Sequence, residues 1–225
     1  MKLSRSLKTY ILLVILLAVF SSINIFLPQG ALMGQYELPA SKPVIALAAF
    51  LIVGIIYDGL GILGLHLSNK LGFSSIWSDS VTDYQRFIQP AIIGMGIGIF
   101  FIICDLILSN FNTVGHIHHP PFPTSLTTSI IAGIGEEIVF RLFFISFWLW
   151  LISSLLLKGK GKNPIFWIIT FFSSIAFAIG HLPSIMSSFD FTTIAQIPAM
   201  LLIEVILLNV FFLFLQPITS ENMVF

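Results

Sequence analysis

The sequence predicts an all-α protein, a polytopic transmembrane helix bundle of about six spans with both termini cytoplasmic. Three observations predict it. Of 225 residues, 57% are hydrophobic and 9% charged, where a soluble domain carries about 25% charged residues. Mean hydropathy is +1.03. Apolar stretches of spanning length recur along the chain. An apolar chain of this kind is not intrinsically disordered. Ten Lys+Arg balance ten Asp+Glu, which leaves no basic excess for a nucleic-acid partner. The single cysteine, Cys104, excludes an intrachain disulfide and a CxxC metal or redox site.

A span needs roughly 20 mostly apolar residues. The first is expected at about 9–27, as an uncleaved helix rather than a signal peptide, because its apolar run is long and no small-x-small cleavage site follows. The second lies at about 43–65, opened by Pro43, and the third at about 88–108. The fourth runs from about Ser125 to Leu157, too long for one straight, untilted crossing. The fifth is expected at about 164–182, opened by Pro164, and the sixth at about 194–215. Loop charges orient the bundle. With the N-terminus inside, Lys2, Arg5, Lys8, Lys70, Arg86, Lys158, Lys160 and Lys162 are cytoplasmic and only Lys42 is outside, a strong positive-inside bias. Trp148, Trp150 and Trp167 flank the lysine loop, where an interfacial aromatic belt is expected. The chain reads as one integral membrane domain over 1–225, without repeats, in contact with membrane lipids and placed in a prokaryotic plasma membrane.

Charges inside a bilayer cost a few kcal/mol each on insertion scales and need a reason. Asp58, Asp105, Glu136, Glu137, Arg141 and Glu204 fall within the spans. The densest cluster is GIGEEIVFR on the fourth. Glu137 and Arg141 are four apart, share a face and can pair, whereas Glu136 is rotated by about 100° and points elsewhere. A packing ion pair explains Glu137 and Arg141 but not a second adjacent carboxylate. On the fifth span, Phe177 and His181 in FAIGHLP share a face. A lone membrane histidine is ordinarily structural, yet with a carboxylate elsewhere in the bundle it can activate water, directly or through a metal. Asn209 on the last span can donate to an oxyanion or make an interhelical hydrogen bond.

Together, Glu136-Glu137-x-x-x-Arg141, then Phe177-x-x-x-His181, then a polar last helix resemble the CPBP intramembrane proteases, the CAAX-protease and bacteriocin-processing or Abi family. The motif-bearing region covers about 125–209. The resemblance implies an intramembrane endopeptidase acting on membrane-associated peptides or proteins. Glu136 would be the base, with Glu137 assisting or paired to Arg141, and His181 would help bind water or metal. Glu136 and His181 are the tentative ligands of a divalent metal such as zinc, and a metal-free glutamate mechanism is the other option. The family's third motif, His-x-x-x-Asn or His-x-x-x-Asp, is not matched: Val205 stands four before Asn209, and no histidine follows His181. Either a last helix is missing, or the chain is a degenerate member acting as a membrane scaffold or immunity protein.

Further expectations concern the rest of the bundle. Glu136 and His181 fall at compatible depths in the outer half, so the site should open outward, which argues against copying a CAAX substrate. Glu204 is a candidate to face the site in place of the missing histidine. Asp58 and Asp105 are expected to pair with hydroxyls, waters or Arg141. His116, His118 and His119 read as a polar loop rather than a metal site. Gly94 and Gly98 fit a small-xxx-small packing face, and Gly54, Gly61 and Gly64 a similar role. A small transporter is a third class, disfavoured by the lack of inverted repeats.

Overall fold

The computed structural model describes residues 4–30, 39–75, 77–79 and 81–215, without the side chains of 211–215. Its described elements are helical. Among the described residues, five helices are long and apolar enough to cross a membrane: α1 (Arg5–Asn24), α2 (Lys42–Lys70), α3 (Tyr84–Phe111), α4 (Thr124–Leu156) and α5 (Lys162–Ser188). The sixth, α6 (Ala199–Leu215), has 17 residues, or about 25 Å at 1.5 Å per residue. It starts later than expected, because a short turn (Ile194–Gln196) closed by a Thr193–Gln196 capping box precedes it.

Local signals start the helices. The Ser4 hydroxyl accepts from the Leu7 amide at 3.2 Å and caps α1. Pro43 sits in the first turn of α2, where its missing N–H costs nothing. The fourth span is one continuous 33-residue helix, but not a uniform one. After the regular turns Thr124–Glu136 it passes through two π-helical stretches, Glu137–Ile145 and Trp150–Leu156. The fifth span outruns its expected end. Pro183 lies inside α5 rather than past it. Leu182, Ile185 and Met186 pack in a cluster with Ile197, Leu201 and Val205, and this burial outweighs the helix-ending tendency of proline.

Three apolar clusters hold the bundle together. Tyr10, Val14 and Leu17 of α1 meet Ile138 and Leu142 of α4, with Val53, Tyr57 and Leu65 of α2 around them. Ile145 and Leu149 of α4 meet Phe166 and Ile169 of α5. The third joins α5 to α6. Along α4 and α5, Ser146, Ser153, Thr170, Ser173 and Ser174 are all buried, small hydroxyl residues that let membrane helices approach closely. The glycines divide. A Cβ on Gly61 would collide with the Tyr10 ring, and one on Gly64 would lie 2.8 Å from the Leu142 carbonyl oxygen. Gly54, Gly94 and Gly98 have open space there among the described residues, so the expected packing role within the chain is not seen for them. For α3 the reason is position: Ile97 is its buried residue within Gln89–Leu108.

Basic residues gather at one end of the bundle. The Arg5 guanidinium lies 3.8 Å from the Trp77 ring centroid and that of Arg86 lies 4.9 Å from it. Lys162 donates to the Leu71 carbonyl and sits 4.8 Å from the Phe73 ring. At the opposite end Thr127 donates to the Asn24 side chain at 2.7 Å, joining the end of α1 to the start of α4.

Candidate functional site

Glu136 is the last residue of the regular part of α4 and Glu137 the first of its π-helical part. Arg141 Nη1 donates to both Glu137 oxygens, at 2.9 and 2.8 Å. The i,i+4 pairing read from the sequence is therefore present, and one glutamate is neutralised within its own helix. Glu136 turns away from this pair toward α5. There its Oε1 lies 3.6 Å from His181 Nε2. The Glu136 side chain is 30% exposed and that of His181 36%, so the pair sits in a partly open position rather than sealed in the core.

The imidazole is oriented from behind. His181 Nδ1 lies 2.9 Å from the Phe177 carbonyl oxygen, an atom that can only accept. The Nδ1 position therefore carries the proton, and in the neutral ring Nε2 presents its lone pair to Glu136. The carboxylate and the lone pair are both acceptors. At 3.6 Å they require a shared proton or a shared water. The Phe177 ring packs on the imidazole with centroids 4.6 Å apart and meets Phe140 of α4 edge-on at 5.2 Å. Ser173 of α5, fully buried, donates to the Phe140 carbonyl at 3.1 Å. The two halves of the site are thus braced across α4 and α5 by one hydrogen bond and a run of ring contacts.

The other expected residues lie elsewhere. Asn209 donates an amide hydrogen to Val205 O in its own helix, at 2.7 Å. Glu204 is fully buried, and both its oxygens lack a hydrogen-bond partner among the described residues. Its charged neighbours are Asp105 and His116, not the Glu136–His181 pair. Standing in for a histidine of the site is therefore not its role here, because the face of α6 that carries it turns toward α3. Asp105, expected to find hydroxyls, waters or Arg141, instead meets His116 Nδ1 at 2.8 Å and accepts from the Ile117 amide at 3.0 Å. His118 Nδ1 lies 3.0 Å from the Ser188 carbonyl oxygen, and its ring stacks on Phe189. His116 and His118 thus tie separate helices to the loop.

The donors present do not fit a catalytic zinc, which takes three protein ligands plus water. Glu136 and His181 supply two. Glu137 is held by Arg141, and among the described residues no group of three or more His, Cys, Asp or Glu side chains is arranged to hold a metal ion.

One residue escaped sequence reasoning. Tyr57 of α2 reaches the same stretch of α4: its Cε1 and Oη stand 3.2 and 3.4 Å from where a Cβ on Gly135 would be. The signal that could have found it is Gly135 itself, a residue without a side chain directly before the paired glutamates.

Residues 118–221 match the family model described as Type II CAAX prenyl endopeptidase Rce1-like. The likeness read from the two motifs is thereby shown over the region that carries them, just under half of the chain, and that region is similar to a family of peptidases. No curated protein and no solved structure matches the chain.

Proposed function

We propose that this integral, multi-pass membrane protein is an intramembrane endopeptidase that hydrolyses membrane-associated peptides or proteins with water activated by Glu136 and His181. The observation that carries this reading is the 3.6 Å approach of Glu136 and His181 across α4 and α5, with Glu137 separately engaged by Arg141. The similarity of this region to prenyl endopeptidases supports the reaction type.

The reaction uses the chain's own groups. A water enters between the carboxylate and Nε2, and Glu136 takes one of its protons as general base. The hydroxide oxygen bonds to the scissile carbonyl carbon, and the carbonyl π electrons move to oxygen. As the C–N bond breaks, the proton held by Glu136 passes to the leaving nitrogen, giving a carboxylic acid and an amine. His181, fixed by Phe177, holds the water on the side away from the carboxylate. No step is routed through a metal. The basic end formed by Arg5, Arg86 and Lys162 is assigned to the cytoplasm of a prokaryotic plasma membrane. That orientation opens the site toward the outer half of the bilayer, and it favours an apolar segment presented there over a cytosolic prenylated tail.

The test is cleavage of quenched-fluorophore apolar peptides by the purified chain in liposomes. Glu136→Gln should abolish cleavage and His181→Ala should lower it at least 100-fold, with thermal unfolding of both variants unchanged. A chelator should leave the rate as it is. A Glu136→Gln variant as active as the wild type would overturn the proposal. A folded wild type that cleaves nothing would favour the scaffold or immunity reading.

A further inference from the structure

We infer that Tyr57, supplied by α2 from outside both motifs, is a third catalytic residue, whose hydroxyl donates to the oxyanion formed at the Glu136–His181 site. The inference rests on the endopeptidase reading above.

Peptide hydrolysis needs a base, a group that holds the water, and a donor for the negative charge that develops on the carbonyl oxygen. Glu136 and His181 cover the first two. For the third, Arg141 is occupied with Glu137, and the Asn209 amide bonds to Val205. Tyr57 is placed for it. Its ring edge and hydroxyl lie against Gly135, the residue directly before Glu136, at 3.2 and 3.4 Å from the position of an added Cβ. The backbone there is pinned, because the Tyr10 hydroxyl donates to the Tyr57 carbonyl at 2.5 Å. Among the described residues Tyr57 takes part in a hydrogen bond through its carbonyl, and its hydroxyl donates to none of them. A donor held in place by its neighbours, and not spent on the fold, is what oxyanion stabilisation requires.

Glycine at 135 is part of the same arrangement. A methyl group there would come closer to the Tyr57 ring than ordinary van der Waals contact, so Gly135→Ala displaces the phenol without touching either motif residue.

The experiment compares wild type, Tyr57→Phe, Gly135→Ala and Glu136→Gln in the liposome assay. Tyr57→Phe removes one oxygen that makes no hydrogen bond to the described residues, so the midpoint of thermal unfolding should not change. Its kcat should fall roughly 100-fold, in the range for loss of one oxyanion donor, with KM within about twofold. A kcat equal to wild type, beside an inactive Glu136→Gln, overturns the Tyr57 inference and leaves the endopeptidase reading standing. A Glu136→Gln variant that still cleaves overturns the endopeptidase reading itself. A second readout does not need activity. The chain has four tyrosines, so 3-fluorotyrosine labelling gives a countable 19F spectrum, and the Tyr57 resonance is the one lost in Tyr57→Phe. It should shift in Glu136→Gln. A resonance that does not move overturns the inference whatever the activity.

Discussion

Two alanine substitutions in α2, chemically identical, should differ sharply in effect. At Gly64 an added Cβ would sit 2.8 Å from the Leu142 carbonyl oxygen, and 2.9 Å from both its carbonyl carbon and its Cγ. The first two are backbone atoms of α4 and cannot rotate away. Reaching ordinary contact distance requires α2 and α4 to separate by about 0.5 Å along this seam, the scale of overpacking that costs about 1–3 kcal/mol. At Gly59, five residues earlier on the same helix, a Cβ meets nothing among the described residues within 4 Å. There alanine should be neutral or stabilising by about 0.5–1 kcal/mol, because it only restricts the backbone of the unfolded helix. The assay is thermal unfolding in detergent, followed by tryptophan fluorescence on wild type, Gly64→Ala and Gly59→Ala. For a soluble chain of this length a kcal/mol corresponds to about 2–4 °C, so Gly64→Ala should unfold several degrees below Gly59→Ala, which stays at or above wild type. Gly64 lies seven residues, two turns, beyond Tyr57 and so on the same face of α2. Gly64→Ala should therefore also lower the peptidase rate. Equal midpoints for the two variants would refute the close approach of α2 and α4, and with it the placement of Tyr57 beside the paired glutamates.

Two further perturbations probe the charges within the spans. A double-mutant cycle with Glu137→Gln and Arg141→Gln should give a coupling energy of about 0.5–1 kcal/mol, as for a partly exposed i,i+4 ion pair. Glu137→Gln should also retain most activity, and its loss to the level of Glu136→Gln would mean the base has been assigned to the wrong glutamate. Glu204→Met should raise the unfolding midpoint, since a buried carboxyl without partners costs about 1–3 kcal/mol that an apolar side chain of similar length does not. A lower midpoint would show that Glu204 is partnered after all, with Asp105 the neighbour in reach.

Much of the bundle is legible in the sequence because hydropathy and spacing act within single helices. The Glu137–Arg141 pair follows from i,i+4 geometry alone, and the helical course of 124–156 from its apolar run. What is not legible depends on how helices face one another. Nothing in the spacing of Asp105 and His116 shows that a loop folds back on α3 and pairs them, or that Glu204 points to that corner. The same holds for Tyr57, whose helix is joined to α4 by contacts distant in sequence. The extension of α5 beyond Pro183 was hidden because a local rule competes there with the burial of Leu182, Ile185 and Met186. Gly94 and Gly98 matched a packing motif that α3, at the margin of the bundle, does not use within the chain.

The π-helical stretch after Glu136 ties these observations to the chemistry. A π turn takes its hydrogen bonds from i to i+5, widens the helix and disturbs the carbonyl ladder, and such turns occur frequently at functional sites. Here it begins at Glu137, so the two glutamates straddle the junction between two helical geometries. Glu137 remains within reach of Arg141 along the π segment, while Glu136 follows the α segment toward His181. Helix α5 supplies the compensation: the Ser173 hydroxyl bonds the Phe140 carbonyl inside the wide turn. The Phe140 ring, from the same residue, then meets Phe177, whose carbonyl fixes the tautomer of His181. The irregularity that divides the roles of two adjacent acids is thus stabilised by the helix that carries their histidine partner.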